Sequence, residues 1–513
     1  MYHILWADDE IELLQAHVRF LQSRDYRVTT VTNGDDALAR IQQTSFDLVL
    51  LDETMPGKDG LTTLNEIKDY NPQIPVIMIT KNEEESLMEE AIGKRIDDYL
   101  TKPVNPSQIL MACKKILQKK NIIIEKRSQS YASEISKLSM TLMNIQSPDD
   151  WINHALKISR MDMELDAATD SDFRQILYDQ RKESNREFGR YVEKNYHHWI
   201  YGKNEGPRLS VDVVPDHVIP RLKKKKKTVL VIIDCMRMDQ WFMLEPFFYE
   251  RFNVNTEYFF SILPTATPFS RNAIFSGLFP VEIEKAYPEL WSLNEDDESL
   301  NRYEKELLEL QLKRQRVTAQ SKYVKIMNND DARNFEKNLD SYMDSDLLAV
   351  VINFVDILAH SRSDLPILKE IAPNEAAYRS LTRSWFEHSP FVSIFNKMAG
   401  YGADIIVTSD HGSVRGLRAS KVIGDRETST SLRYKYGRSL KVDKKQAVYL
   451  KNPEEWKLPK RGLNTTYIIA KEDYYFVYPT NYHKYLNQYK DSFQHGGISL
   501  EEVILPLITL KAK

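Results

Sequence analysis

Over roughly the first 120 residues, short apolar runs alternate with stretches in which apolar positions recur every three or four residues. The runs at 2–7, 28–32, 46–51, 76–80 and 99–101 have the length and composition of buried strands. Four helical patterns fall between them and a fifth follows over 106–120. That alternation predicts an α/β fold built on a doubly wound parallel sheet. The pattern then changes. Residues 122–143, 149–161 and 171–195 carry helical periodicity with almost no strand signal, predicting a helical linker bundle over 121–205. Two roles are open for it: a spacer with ordinary cores and solvated charges, or a signal-transmitting or dimerising bundle. From Gly206 strand signals return at 228–233, 347–354 and 403–408, predicting a second, larger α/β domain over 206–513. Residues 281–345 are charged, mostly helical and poor in strand signal, and read as an inserted cap over a site. Three domains result: 1–120, 121–205 and 206–513.

Composition narrows the setting. A net charge of -4 over 513 residues leaves no global field to recruit nucleic acid. The five lysines Lys223 to Lys227 stand directly before a strand. They read as a solvated strand entry, with a phosphate or oligonucleotide contact as the alternative. Cys113 and Cys235 are too few for a disulfide framework, which fits a reducing compartment. The chain opens directly on a strand-like run without a basic and apolar leader pattern, and no apolar stretch is long enough to span a bilayer. These features predict a cytoplasmic protein. No helix-turn-helix pattern with a basic recognition helix follows the first domain, so a conventional DNA-binding output is disfavoured.

Ligands of parallel sheets bind beyond the carboxyl ends of the strands. In the first domain those ends carry Asp8 and Asp9, Asp52, Thr80 and Lys102. Converging carboxylates repel one another unless a cation sits among them, and a hard divalent ion such as Mg²⁺ meets that need. Asp52 then becomes a nucleophile toward a phosphoryl donor, with Lys102 and Thr80 placed to hold phosphoryl oxygens. The residues Asp8-Asp9-Glu10, Asp52, Met55-Pro56-Gly57, Asp59-Gly60, Thr80, Tyr99 and Lys102-Pro103 resemble those of response-regulator receiver domains. The resemblance implies phosphorylation of Asp52 and Mg²⁺ held by Asp8 or Asp9, Asp52 and the carbonyl of Thr54. It also implies a Thr80/Tyr99 rearrangement on phosphorylation and dimerisation of the phosphorylated form.

In the third domain, chemistry-bearing motifs each follow an apolar run: Asp234, the turn 264–268 with Thr267, Asp356 with His360, Asp410-His411-Gly412, and Gln494-His495-Gly496. Singly each has an ordinary explanation, such as a helix cap, a turn or a surface histidine. Together they supply the Asp and His donors of hydrolytic zinc sites. Asp356, His360 and His495 fit around one ion; Asp234, Asp410 and His411 fit around another. Three carboxylates against two dications leave a net charge of about +1, which attracts a phosphodiester anion. Thr267, just before Pro268 at a predicted helix start, is the candidate nucleophile; as a plain N-cap it would have no such role. Arg271, one turn on, reads either as a phosphate contact or as a structural ion pair.

This set resembles the alkaline-phosphatase superfamily, particularly its nucleotide pyrophosphatase/phosphodiesterase branch and PglZ-type domains, over 228–280 and 347–510. The resemblance implies two Zn²⁺ ions, with Thr267 as covalent nucleophile and a further ligand of the Asp234 ion. Sulfatases are excluded, because their nucleophile position needs a cysteine or serine. Ser270 departs from the phosphodiesterase branch, where an asparagine helps hold phosphate. The order of the three parts resembles PorX-like response regulators of type IX secretion. That implies a sensor histidine kinase partner, contact with secretion or sigma-factor machinery, and nucleotide or oligonucleotide phosphodiester substrates. The alternative is a metal-stabilised scaffold that binds such partners with little catalysis.

Overall fold

The computed structural model describes residues 2–513 apart from 73, 82–95, 167–170, 203–205, 292–300, 365–369, 425–428, 430, 463 and 481. It forms two compact units, Met1–Glu134 and Ile135–Lys513. In the first, β1 (Tyr2–Ala7), β2 (Tyr26–Val31), β3 (Leu48–Asp52), β4 (Val76–Thr80) and β5 (Asp98–Thr101) form an all-parallel sheet ordered β2-β1-β3-β4-β5. Helices α1 (Gln15–Gln22), α2 (Gly34–Gln43) and α3 (Gly60–Tyr70) connect the early strands. Apolar residues of both sheet faces are buried: Ile4, Trp6, Leu48 and Leu50 toward one core, Leu5, Ala7, Val49 and Leu51 toward the other. That explains the near-continuous apolar runs, since a parallel sheet is covered on both sides. The helical pattern predicted between β4 and β5 lies largely outside the described residues.

One expectation needs correction. The helices expected over 106–120 and 122–143 are one continuous helix, α4 (Pro106–Leu142), because no proline or glycine interrupts the run between them. Within the second unit, α5 (Pro148–Asp166) and α6 (Ser171–Tyr201) pack on the α/β body. Trp151 meets Phe188, and Phe188 meets Phe260 of that body, with ring centroids 5.1 and 5.8 Å apart. A buried Arg379 reaches Asp162 at 2.7 Å and Asp166 at 2.6 Å. The linker helices therefore share a core with the domain that follows them.

The main sheet of this unit runs β7-β18-β10-β6-β9-β8. Its strands are β6 (Thr228–Ile233), β7 (Phe252–Phe260), β8 (Ser321–Ile326), β9 (Leu347–Ile352), β10 (Asp404–Thr408) and β18 (Ile504–Ala512). β10, β6, β9 and β8 are parallel, while β18 pairs antiparallel with β10 and β7. Every residue of β6 and β9 is buried, each large apolar side chain contributing roughly 1.5–3 kcal/mol. The edge strand β8 lies within the segment expected to be strand-poor, so 321–326 belongs to the sheet and only the preceding part can be an insertion. Its half-polar sequence, Ser-Lys-Tyr-Val-Lys-Ile, suits an edge and hides it from an apolar-run search. Lys223 to Lys226 are exposed at the strand entry.

Between β10 and β18 stand strands the sequence pattern did not predict: β11 (Val414–Gly416), β12 (Arg418–Lys421), β13 (Tyr434–Gly437), β14 (Ala447–Leu450), β15 (Thr466–Ala470), β16 (Tyr474–Val477) and β17 (Ser492–Gln494). They form a three-stranded antiparallel sheet and two ribbons, and the last of them delivers His495 to the sheet's carboxyl edge. No helix among the described residues is long and apolar enough to cross a membrane.

Candidate metal centre and phosphoacceptor site

In the first unit Asp8 follows β1, Asp52 closes β3 and Lys102 follows β5, so the parallel order brings them to one edge. Ligand atoms of Asp8, Asp9 and Asp52 lie within 4.8 Å of one another. Lys102 Nζ stands 3.1 Å from Asp8 Oδ2 and 3.0 Å from Asp52 Oδ2, and the Lys102–Pro103 bond is cis. Burial pushes the Asp52 carboxyl up to about 6; the Lys102 hydrogen bond opposes this, and Asp8 and Asp9 add to it. A divalent cation between the carboxylates would offset both effects. The Thr80 hydroxyl donates to Glu53, a partner the sequence did not suggest. Thr54 is exposed in the loop after Asp52, and Tyr99 is 38% exposed on β5.

The second unit gathers its motifs in the same way. Asp234 follows β6, Asp410 follows β10, and Asp356 with His360 lies on the helix that follows β9. The helices that matter are α7 (Met238–Leu244), α8 (Thr267–Ser276), α9 (Glu304–Arg314), α10 (Phe354–Asp364) and α11 (Glu375–His388). Asp356 and His360 share one face of α10, with His360 Nε2 3.3 Å from Asp356 Oδ1. His495 Nε2 is 3.0 Å from His360 Nε2 and 3.6 Å from Asp356 Oδ1. Around the other centre, His411 Nε2 is 3.6 Å from Asp234 Oδ1 and 3.7 Å from Asp410 Oδ2. The two centres are neighbours, because the rings of His411 and His495 stack with centroids 4.1 Å apart.

These distances suit a metal. Four ligands at about 2.0–2.1 Å in a tetrahedron stand roughly 3.3 Å from each other. The carboxylates also leave one oxygen each for it. Asp410 Oδ1 accepts from the amides of Cys235 and His411 at 3.3 and 3.1 Å, and Asp234 Oδ2 accepts from Arg271 at 2.9 Å. Asp234 Oδ1, Asp410 Oδ2 and Asp356 Oδ1 are buried without a hydrogen bond, and they are the atoms that face the histidines. Buried carboxylate oxygens ordinarily find a hydrogen-bond donor. The donor set therefore fits two dications.

Thr267 opens α8, whose cap position is Ala266, so its side chain is not the helix cap. Its Oγ1 lies 2.9 Å from His411 Nε2. His411 Nδ1 faces the Gly412 carbonyl at 3.1 Å; donation there fixes the proton on Nδ1 and leaves the Nε2 lone pair toward the alcohol. The Thr265 hydroxyl donates to the Gly497 carbonyl at 2.7 Å and accepts from the Gly496 amide at 3.2 Å, tying the α8 entrance to the His495 loop. Ser270 faces away, bonded to Ser261 at 2.9 Å. After Asp234, Cys235 holds a left-handed φ of 65° in the core, a conformation that is uncommon for such a residue and clusters at functional sites.

Electrostatics separate the two centres. Burial would raise Asp356, but the imidazoles of His360, His495 and His411 around it hold it well below the usual carboxylate range. Burial raises Asp234 well above that range; Arg271 opposes, and Asp410 and Asp356 reinforce. Burial likewise keeps His495 neutral, the state a ligand imidazole needs. Arg271 is 1% exposed and pairs with Asp234, Glu304 and Asp410 at 2.9, 3.1 and 3.4 Å. Glu304, fully buried on α9 and hydrogen-bonded by the Tyr323 hydroxyl, was not anticipated. Its neighbours Lys305 and Glu306 make the segment read as a solvated face.

A cluster of carboxylates and a lysine at one parallel sheet's edge, and an Asp/His cluster beside an alcohol at another's, fit a response regulator with an alkaline phosphatase-like output domain. The chain belongs to the PglZ alkaline phosphatase-like family, whose BREX-system domain model matches residues 213–510, more than half its length. The response regulator receiver model matches 4–114 and the PorX response regulator linker model 121–200, together giving a PorX-like architecture. Among curated proteins, the transcriptional regulatory protein BaeR of Escherichia coli is 37% identical over 118 residues, 23% of this chain and 48% of that one. ResD of Bacillus subtilis is 32% identical over 116 residues, with the same shares. The chain thus spans about half the length of these relatives. Of solved structures, the Francisella response regulator 1452 receiver domain is 24% identical, covering 23% of this chain and 99% of that one at a TM-score of 0.23. The activated DrrB receiver domain is 30% identical, with 23% and 98% covered and a TM-score of 0.22. Receiver and alkaline phosphatase-like domains generally use metal ions.

Proposed function

We propose that this protein is a cytoplasmic response regulator whose phosphorylation at Asp52 controls a zinc-dependent phosphodiesterase acting on nucleotide or oligonucleotide phosphodiesters. The observation that carries this reading is Thr267 Oγ1, 2.9 Å from His411 Nε2 and beside two Asp/His triads. Asp356, His360 and His495 would hold one Zn²⁺, and Asp234, Asp410 and His411 the other, with Thr267 at its edge. Bound zinc supplies Lewis-acid stabilisation of phosphoryl oxygens and favours the ionised alcohol. Thr267 Oγ1 forms a bond to phosphorus as the ester P–O bond breaks, and water then cleaves the phosphothreonyl ester to restore the alcohol. The α8 N-terminus adds the favourable end of a helix dipole for the phosphate. Mg²⁺ at Asp8, Asp9 and Asp52 would serve phosphorylation, with a sensor histidine kinase as donor partner. The PorX-like order supports a role in type IX secretion through secretion or sigma-factor contacts, and a phosphorylated dimer.

Zinc-loaded protein is expected to hydrolyse a generic aryl phosphodiester. Thr267→Ala should lose at least about a hundredfold in kcat while retaining its zinc. Equal activity in that variant would remove the mechanism. A second reading, a metal-stabilised scaffold, draws on the near-complete burial of Asp234, Asp410 and His411. Full secretion in cells carrying Thr267→Ala would favour it.

A further inference from the structure

Three of the segments that carry the Asp/His donors converge on one buried arginine. Arg237 is 2% exposed and stands at the entrance of α7, shortly after Asp234. Its Nε and Nη2 donate to Asp239 Oδ1 and Oδ2 at 2.9 and 2.6 Å, and Glu375 Oε2 lies 2.6 Å from the same Nη2. Its Nη1 donates to the Ser413 carbonyl at 3.4 Å, just beyond His411. Its stem backs Gly412, where an added Cβ would stand 3.3 Å from Arg237 Cγ. The guanidinium carbon is 5.4 Å from the ring centroids of both Tyr378 and Phe493, and those rings stack 4.0 Å apart. Phe493 lies on β17, whose end delivers His495, and β17 is laddered to β11 beyond His411. The Tyr378 hydroxyl donates to the Val355 carbonyl at 3.3 Å, next to Asp356.

The orientation of a metal-ligating imidazole is set by the groups behind it. Here a single planar cation is held by two carboxylates on one side and meets a carbonyl and two rings on the others. Arginine alone supplies both the fork and the stacking face; lysine supplies only the charge. We propose that Arg237 is a positioning residue for the metal centres: clamped by Asp239 and Glu375, it sets the His411 loop against the His495 strand end and, through Tyr378, against the start of α10. It acts through these segments and not on the donor atoms. The inference rests on the metal-centre reading above.

The test loads the metal-free full chain with cobalt(II), whose visible bands report ligand geometry, and measures zinc affinity by competition with a chromophoric chelator. Arg237→Lys keeps the charge but loses fork and stack. It should shift the cobalt bands and weaken zinc by about ten- to a hundredfold. The double variant Arg237→Met/Glu375→Gln leaves no carboxylate stranded, because Asp239 keeps Arg379 at 2.9 Å, and should do at least as much. Arg379→Met loosens α5 but leaves Arg237 both of its carboxylates. It should keep the wild-type bands and a zinc affinity within about threefold, which separates positioning from a general loss of stability. Wild-type bands and affinity in both Arg237 variants, or the same change in Arg379→Met, overturn the proposal while leaving the metal centres standing. A wild type that takes up neither metal overturns both.

Discussion

Arg379→Met tests whether the linker helices are held to the output domain by charge. Arg379 lies on α11, 1% exposed, and reaches Asp162 and Asp166 of α5 and Asp239 of α7 at 2.7, 2.6 and 2.9 Å. Methionine keeps much of the length and removes the cation. Asp239 then keeps Arg237 at 2.6 Å and Asp162 keeps Arg181 at 3.0 Å, while Asp166 loses its only ion-pair partner among the described residues. Breaking a buried pair costs about 3–5 kcal/mol. Asp162 and Asp166 are 23% and 27% exposed, so water screens part of the loss, and about 3 kcal/mol is the expected figure. Hydrogen exchange of the full chain should show α5 and α6 amides opening roughly a hundredfold faster, and Asp166→Asn in the same chain should restore part of the protection. The pH dependence has a defined sign. Burial would raise Asp239 and Asp162, but Arg237, Arg181 and Arg379 hold both carboxyls below their ordinary range. Their stabilisation is present above the unfolded value near 4 and fades as pH falls below it, so wild type and variant should converge in acid. A change under about threefold in exchange, or a gap that widens on acidification, would refute the ion-pair account.

Three other outcomes follow from the geometry. Thr267→Ala should abolish phosphodiester hydrolysis with zinc retained, as set out above. At Gly412 an added Cβ would stand 1.9 Å from the Glu501 carbonyl oxygen; Gly412→Ala should displace His411 and lower bound zinc, and unchanged metal content would show the loop yields freely. Asp52, pushed to about 6 mainly by burial, binds its proton more tightly when folded. Its contribution therefore favours metal-free folding on the acid side and weakens as pH rises from about 4 to about 6. Mg²⁺ competes with that proton, so calorimetric Mg²⁺ affinity should fall about tenfold from pH 7 to pH 5; a flat profile would contradict the raised carboxyl.

Much of the molecule was legible before any coordinates. The strand ends bearing Asp8, Asp52, Asp234 and Asp410 follow from local apolar runs, and parallel sheets collect such ends at one edge whatever the packing. Asp356 and His360 meet through helix spacing alone. The weaker elements were hidden for equally local reasons: β11 to β17 have three to five residues each, too few alternations to rise above loop composition. β8 is half polar because it is an edge.

What the tertiary structure decided is long-range. His495 joins Asp356 from 139 positions further along the chain, and Glu304 is a core carboxylate only because Arg271 faces it. Arg379 binds α5 through partners more than 200 residues away in sequence. Periodicity records which face of an element is buried, but not which charge waits on the other side. That is set by sheet order and crossover connections, and here it fixes which Asp and His side chains meet, the pairing of Arg271 with Glu304 and the seat of the linker.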